Sequence, residues 1–380
     1  MNILGPTSDL VVIGGGAFGM WTALSAAERG ARVTLIDQNA IGHPRGSSGG
    51  ASRNIRAAYG TDVFYTRLAI VAWSAWQLRE TEFGCRLLYP TGALRAEASP
   101  LMAQQHTFDA CGQPCELLSG VEVRHRWPLL RYDDAESVFY EPLAGVLLAS
   151  DALRAAARRY GQLGGQIIAG RVSSGTDNCK IGIMLEGQPI VADQIVVAAG
   201  PWLPGLFPDL IAPLMRTPRR ELFFYATPPD DPRFSWQQMP NLSDDDGWTS
   251  ADIGGGIKVA PLMRHIPLDP DSDPGPPGEN FAQAARAYLA RRVPSLADAA
   301  LISTYVGQLE NTASEHFIID RHPDDPRIIL AGGGSGHAFK FGPVLGPVIA
   351  DFALQDTFPE DWRRRFALTS QRSVRPGEAG

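Results

Sequence analysis

Leu10-Val11-Val12-Ile13-Gly14-Gly15-Gly16-Ala17-Phe18-Gly19 is the stretch that decides the fold. Four apolar residues in a row, three of them β-branched, read as a short strand buried on both faces. The glycines that follow have the spacing G-x-G-x-x-G. Met20, Ala23, Leu24 and Ala27 then recur at helical spacing, Gly30 closes the helix, and a second strand over 31–36 ends at Asp37. Each piece has a task in holding a dinucleotide. Gly14 allows the tight turn, Gly16 lets backbone approach a pyrophosphate, and Gly19 lets the helix pack closely on the strand. The helix N-terminus, with Ala17 and Phe18 just before it, offers free N–H groups and partial positive charge to phosphate. A carboxylate at Asp37 accepts from ribose hydroxyls and favours a plain ribose over a 2′-phosphate. Strand, glycines, helix, strand and acid in that order predict a Rossmann-like α/β unit, which by itself serves NAD or FAD.

Outward from this unit the pattern favours the longer cofactor. The second strand runs into a Gly/Ser/Arg-rich segment over 43–60, where a nicotinamide domain would continue with alternating strands and helices. A strand-like stretch over 194–199 ends in Gly200-Pro201-Trp202. Near the C-terminus a strand over 328–331 enters Gly332-Gly333-Gly334-Ser335-Gly336-His337, then a helical pattern over 344–354. This second glycine-rich turn also exposes backbone N–H groups to a ligand, so both ends of the chain grip one cofactor. Between them, Pro/Asp-rich loops at 227–232 and 269–280 precede an alanine-rich helical pattern over 281–292.

Composition narrows the class. At roughly 150 residues per domain, 380 residues suggest two to three domains. With 44% hydrophobic and 20% charged residues the chain is globular. A net charge of −7 argues against a nucleic-acid surface. No apolar run approaches the roughly 18 residues of a membrane span, and the N-terminus lacks a signal-peptide pattern, so a cytoplasmic protein without membrane contact is expected. The four cysteines, Cys85, Cys111, Cys115 and Cys179, fit neither a disulfide framework nor a zinc site and read as plain thiols. Asp244-Asp245-Asp246 lacks the remainder of a calcium loop and reads as a solvated turn with no metal. His316 and His337 have no Ser or Cys partner at a recognisable spacing, so nucleophilic catalysis has no support. Arg363-Arg364-Arg365 reads as a solvated face and the tail after Arg372 as frayed.

Four further segments carry a family resemblance: the loop 46–60 with Arg53 and Arg56, Gly256-Ile257-Lys258 followed by Asp269-Pro270-Asp271, Glu315-His316-Phe317-Ile318-Ile319-Asp320, and Ser335-Gly336-His337-Ala338-Phe339-Lys340-Phe341. With the N-terminal glycines they make the chain resemble, over nearly its whole length, the monomeric sarcosine oxidase, N-methyltryptophan oxidase and pipecolate oxidase family, FAD-dependent and D-amino-acid-oxidase-like. The resemblance implies a Rossmann-like FAD domain from 1–83, 142–217 and 310–380. Interleaved with it would be an α+β substrate domain on an antiparallel sheet, from 84–141 and 218–309.

It also implies roles. Arg56 and Lys340 would bind the substrate carboxylate, two fixed cations selecting an amino acid over a simple amine. Arg53 would lie beside the flavin, with a loop-ordering ion pair as the alternative. Lys258 would assist oxygen reduction by stabilising developing negative charge; a surface lysine on a hairpin is its bland counterpart. FAD contacts beyond Gly14–Gly19 and Asp37 would come from Gln38, from Ser47 and Ser52 in the loop, and from Val172. Ala199, Gly200 and Trp202 would add a middle group, and Gly334, Gly336, His337, Phe339 and Lys340 a C-terminal one. Family members with covalent flavin carry a Cys at the position of Gly307, so non-covalent FAD is expected.

The substrate end departs from the family. A pocket tyrosine falls at Leu309, a pocket histidine at Leu262, another tyrosine near Gly247 or Trp248, and the loop histidines at Ser48 and Gly49. Trp248 and Leu309 are thus candidate substrate contacts, and sarcosine itself is doubtful. Glu310 reads as a solvated loop carboxylate, with binding of a cationic substrate group as the alternative. The expectation is oxidation of a secondary or N-methylated amino acid to an imine, with O2 as acceptor and H2O2 as product, by a monomer or small homo-oligomer. A dehydrogenase or biosynthetic tailoring oxidase for a larger amine, and a flavin-binding subunit without chemistry, are the alternatives.

Overall fold

A computed structural model describes residues 8–96, 100–177, 180–264 and 266–371. Cys179 and the tail after Gln371 lie outside them. The opening apolar run is the strand Ser8–Ile13, with Leu10, Val11 and Val12 wholly buried. It is central in a six-stranded sheet ordered Ile318–His322, Asp325–Gly332, Ala192–Val197, Ser8–Ile13, Val33–Asp37, Gln166–Ala169. Neighbours in this sheet are parallel except for the antiparallel hairpin of its first two strands. Burial on both faces explains why these strands are continuous apolar runs. The helix Gly19–Glu28 covers one face together with Gly342–Gln355. Close approach there needs glycine, because a Cβ on Gly346 would stand 2.5 Å from the Trp21 backbone.

The strand expected over 194–199 is Ala192–Val197, and its end turns at Gly200, φ +55°, into a short 3₁₀ helix over Gly200–Trp202. Val63–Phe83 is a 21-residue helix capped by Asp62, whose carboxylate accepts from the Tyr65 N–H at 3.1 Å, and closed by Gly84 at φ +64°.

The second large sheet has eight strands in the order Leu301–Gln308, Arg219–Tyr225, Ile257–Pro261, Gly247–Ser250, Asn241–Asp244, Ala93–Arg95, Ser137–Glu141, Glu116–Ser119. All pairs are antiparallel except Asn241–Asp244 with Ala93–Arg95. The helix Glu279–Arg292 packs on it, and the two sheets draw on alternating lengths of chain. Between them the strand Ser52–Ile55 pairs with Gly145–Leu148, which carries the arginine loop into the space between the sheets.

Two surface readings are corrected. Asp244 is buried, not a solvated turn: it accepts from Arg292 Nε at 3.1 Å and from Tyr288 Oη at 2.6 Å, because the strand Asn241–Asp244 packs against the helix bearing both. Arg365 is not simply solvated either; it pairs with Asp62 at 2.6 Å and lies over the Phe64 ring, since its helix Glu360–Phe366 docks on the start of the long helix.

Candidate functional site: two lysine–arginine pairs beside a dinucleotide cradle

The C-terminal ends of the parallel strands open on a cavity of ≈ 430 Å³, within the range of about 300–1,000 Å³ for cofactor sites. Its floor is the glycine turn. Gly14 has φ +95°, and a Cβ there would stand 2.8 Å from the Ala198 carbonyl carbon. A Cβ on Gly19 would collide with the Gly14 carbonyl oxygen, which is why helix and strand can close up here. The Ala17 N–H donates to Ser48 Oγ at 2.9 Å, tying the turn to the arginine loop. Asp37 accepts from the N–H groups of Gly15 at 2.6 Å and Asn39 at 2.8 Å, and burial holds its carboxyl above the usual range.

Gly14, Gly16, Ala17, Phe18, Asp37 and Gln38 line this cavity, as do Ser47, Val172, Ala199, Gly200 and Trp202. Gly19, Ser52, Arg53, Gly334, Gly336, His337, Phe339 and Lys340 are not among its lining. Asp269, Pro270 and Asp271 also line it, so this segment serves the cavity and does not accompany Lys258. Asp271 pairs with Arg171 at 2.6 Å and accepts from Trp202 Nε1 at 2.8 Å.

Glu310 lines the same cavity and is 6% exposed, which overturns its reading as a solvated carboxylate. The chain turns inward after the strand Leu301–Gln308, and Ser335 N–H holds the Glu310 carbonyl at 2.9 Å. Burial pushes its carboxyl up to about 7 against the opposing pull of the Gly333 and Gly334 N–H groups.

Beyond the cavity the arginine loop separates two clusters. Lys258, on Ile257–Pro261, is 2% exposed, not a surface residue. Its Nζ donates to the Ser52 carbonyl at 3.0 Å and Ser52 Oγ at 2.8 Å, and lies 5.2 Å from the Trp248 ring centre. Antiparallel pairing of Ser250 with Lys258 and of Trp248 with Ala260 brings that indole alongside. Arg53 donates to the carbonyls of Ser52 at 2.7 Å and of Ser47 and Gly49 at 2.6 Å, and lies 5.9 Å from the Phe339 ring. It orders the loop through carbonyls, and among the described residues it makes no ion pair of the kind weighed as its alternative role. Burial, then Arg53, holds the Lys258 ammonium well below the usual lysine range.

The second cluster gathers Arg56 and Lys340, 284 positions apart in sequence. Lys340, 3% exposed, donates to Tyr59 Oη at 2.7 Å, and Arg56 lies over the same ring at 4.9 Å. Tyr59 Oη is 3.1 Å from His337 Nδ1, and His337 Nε2 is 2.9 Å from the Glu315 carbonyl. A carbonyl can only accept, so the His337 proton sits on Nε2 and Nδ1 accepts from Tyr59. His337 therefore orients Tyr59 and Lys340.

Sequence reasoning missed three members. Tyr59 follows the arginines directly and a polar tip among apolar neighbours was the available signal. Arg95 and Glu141 had none: their strands are brought together by the pairing of Ala93 with Glu141. Glu141 is wholly buried, accepts the N–H groups of Ala57 at 2.9 Å and Ala58 at 3.0 Å, and is raised by burial against the pull of Arg95 and Arg56. Leu309 is partly buried, with its N–H on the Pro218 carbonyl. Gly307 faces Arg220 across the sheet and, as a glycine, carries no thiol.

A glycine-turn cavity at the C-terminal edge of a parallel sheet, flanked by a second sheet bearing buried cations, defines a two-part dinucleotide-binding oxidoreductase. Residues 9–352 match the FAD dependent oxidoreductase family, also termed DAO, and the chain belongs to it. It is 28% identical over 370 residues to the monomeric sarcosine oxidase of Streptomyces avermitilis, covering 93% of this chain and 95% of that one. It is 26% identical over 372 residues to the N-methyl-L-tryptophan oxidase of Yersinia pestis, covering 93% and 96%. The solved open form of NikD, an unusual amino acid oxidase essential for nikkomycin biosynthesis, superposes with a TM-score of 0.81 over 98% of this chain and all of that one, at 20% identity. The fold class and the family resemblance read from the sequence are thereby borne out. Among the described residues no helix is long and apolar enough to cross a membrane.

The residues fit FAD. A dinucleotide cradle that Cβ atoms would fill is present, and the buried cations suit an isoalloxazine that becomes anionic on reduction.

Proposed function

We propose that this chain oxidises the C–N bond of a secondary or N-methylated amino acid to the imine, with FAD held non-covalently and O2 reduced to H2O2. The observation that carries the reading is the convergence of Arg56 and Lys340 on one partly buried tyrosine, Tyr59. Two cations fixed by a hydrogen-bonded ring are a ready carboxylate clamp. The substrate's two electrons and two protons leave carbon and nitrogen as the C=N bond forms, and both electrons end on O2, which takes up two protons to give H2O2. Bound FAD would supply the two-electron acceptor.

The chain's own groups do the rest. Gly14–Gly19 would hold the diphosphate and Asp37 the adenosine ribose. Arg56 and Lys340 would fix the carboxylate, and Tyr59 would keep Lys340 aimed. Lys258 and Arg53 would supply positive charge where negative charge develops. Gly307 offers no thiol, which supports non-covalent flavin. The division into an FAD part (1–83, 142–217, 310–380) and a substrate part (84–141, 218–309) belongs to this reading, as does a cytoplasmic location.

A second reading is favoured by the departures at Leu309 and at Leu262, which is 38% exposed and contributes no imidazole: a dehydrogenase or tailoring oxidase for a larger amine. The test mixes purified protein anaerobically with N-methyl, cyclic and primary amino acids and with matched amines lacking a carboxylate, then admits air. Bleaching of the flavin band by secondary amino acids alone, with H2O2 on aeration, is expected. Bleaching followed by sluggish reoxidation would select the second reading. A band that no amine bleaches would leave a flavin carrier.

A further inference from the structure

The cofactor cavity holds a carboxyl group that the mechanism above does not use. Glu310 sits where the second large sheet feeds back into the glycine-rich C-terminal turn. A Cβ on Gly200 would stand 3.7 Å, and one on Gly332 3.4 Å, from its Oε2, and one on Gly334 2.9 Å from its Oε1. Three glycines on two backbone segments thus close around it. Oε2 is buried and has no hydrogen-bond partner within the chain. A buried unpartnered oxygen is tolerated where a ligand completes it.

We propose that Glu310 is a cofactor-binding residue whose carboxyl group stays neutral and donates a hydrogen bond to an oxygen of the diphosphate–ribityl chain of FAD. The charge argument is direct. The cavity is built for a ligand bearing two phosphate charges, and an ionised carboxylate opening into it would repel them with little solvent to screen the repulsion. A protonated one turns the same oxygen into a donor. Burial already raises this carboxyl to about 7 without a ligand, and a phosphate would move it further the same way. The other ionisable groups lining the cavity are Asp37, His43, Arg171, Asp269 and Asp271. The upward shift of Glu310 comes from burial alone, against the opposing pull of the Gly333 and Gly334 N–H groups. His337, on the same turn, bonds Tyr59 and the Glu315 carbonyl.

The test is infrared difference spectroscopy of the flavin-loaded protein, wild type against Glu310→Gln, at pH 8, with flavin retention on dialysis as a second readout. The amide is isosteric, cannot ionise and still donates. The expected result is a protonated-carboxyl C=O band in wild type that is missing from E310Q. The FAD Kd of wild type should rise about tenfold per pH unit once the group begins to ionise, while that of E310Q stays flat. Absence of the band, or the same pH slope in both proteins, overturns the proposal. A wild-type pH series on its own reads the band if E310Q folds poorly. The inference rests on FAD occupying this cavity. Flavin that stays with acid-precipitated protein would sink the non-covalent part of the proposed function, yet leave the carboxyl band readable.

Discussion

Lys258 and Lys340 are both almost wholly buried, and their neighbourhoods differ in one respect. Around Lys258 the hydrogen bonds go to a carbonyl and a hydroxyl of Ser52, and the charge acting on it is a second cation, Arg53. Around Lys340 stand Arg56 and Arg95, but also the carboxylate of Glu141. Taking an ion out of water costs several kcal/mol unless it is paired. The Lys340 region is therefore partly compensated before any ligand arrives, with one acid against three bases. The Lys258 region has no built-in anion among the described contacts. On the proposed function this is the difference between an anion that arrives with the substrate and stays, and one that exists only while electrons are being passed on.

Removing the clamp should break the comparison most severely. Lys340→Met or Arg56→Met should raise KM for a carboxylate-bearing substrate by about 10²–10³-fold, as expected for loss of one partner of a desolvated charge pair. An amine without a carboxylate should react equally poorly with variant and wild type. Steady-state kinetics on the matched pair checks this, and an equal rise for both substrates would take the carboxylate away from this cluster. Lys258→Met should act elsewhere in the cycle. Stopped-flow reoxidation of the reduced flavin should slow by about 10²-fold, the scale for losing one preorganised electrostatic group, while anaerobic reduction changes only slightly. Equal losses in both half-reactions would erase the distinction between the two lysines.

How much of this was legible in the sequence follows from range. The cradle was readable because Gly14 to Asp37 is one continuous strand–turn–helix–strand, and local backbone geometry dictates glycine at each tight approach. The two lysines were readable only through resemblance, since nothing local tells a buried lysine from a solvated one. Glu141 and Arg95 were not readable: they meet through strand pairing, and their position near Lys340 depends on the Ala57–Ala58 backbone wrapping onto Glu141. Glu310 and Asp244 misled for the same reason. A carboxylate beside polar neighbours such as Asn311 or Asp245 is usually exposed, and only the three-dimensional closure of Gly200, Gly332 and Gly334, or the packing of Arg292, buries these two.

The smallest expected effect sharpens the Lys340 side. His337 is enclosed by Tyr59, Tyr65, Phe317 and Phe341, and burial, reinforced by Lys340, pushes it down to about 3. An unfolded histidine titrates near about 6.5. Between these values the unfolded chain binds the extra proton, so this contribution to stability is complete above about pH 6.5 and is lost as pH falls towards 3. At pH 5 the full shift corresponds to about 2 kcal/mol, and partial solvent access to the ring reduces this to about 1 kcal/mol. His337→Asn keeps polar capacity without titrating. Urea unfolding midpoints at pH 7 and pH 5 should therefore fall less in H337N than in wild type. A carboxylate ligand held by Arg56 and Lys340 would offset the cations that help depress this histidine, so adding one should narrow the gap between the two proteins. An unchanged gap would mean that the ligand's charge does not reach the Tyr59–His337 chain, and that the clamp lies elsewhere.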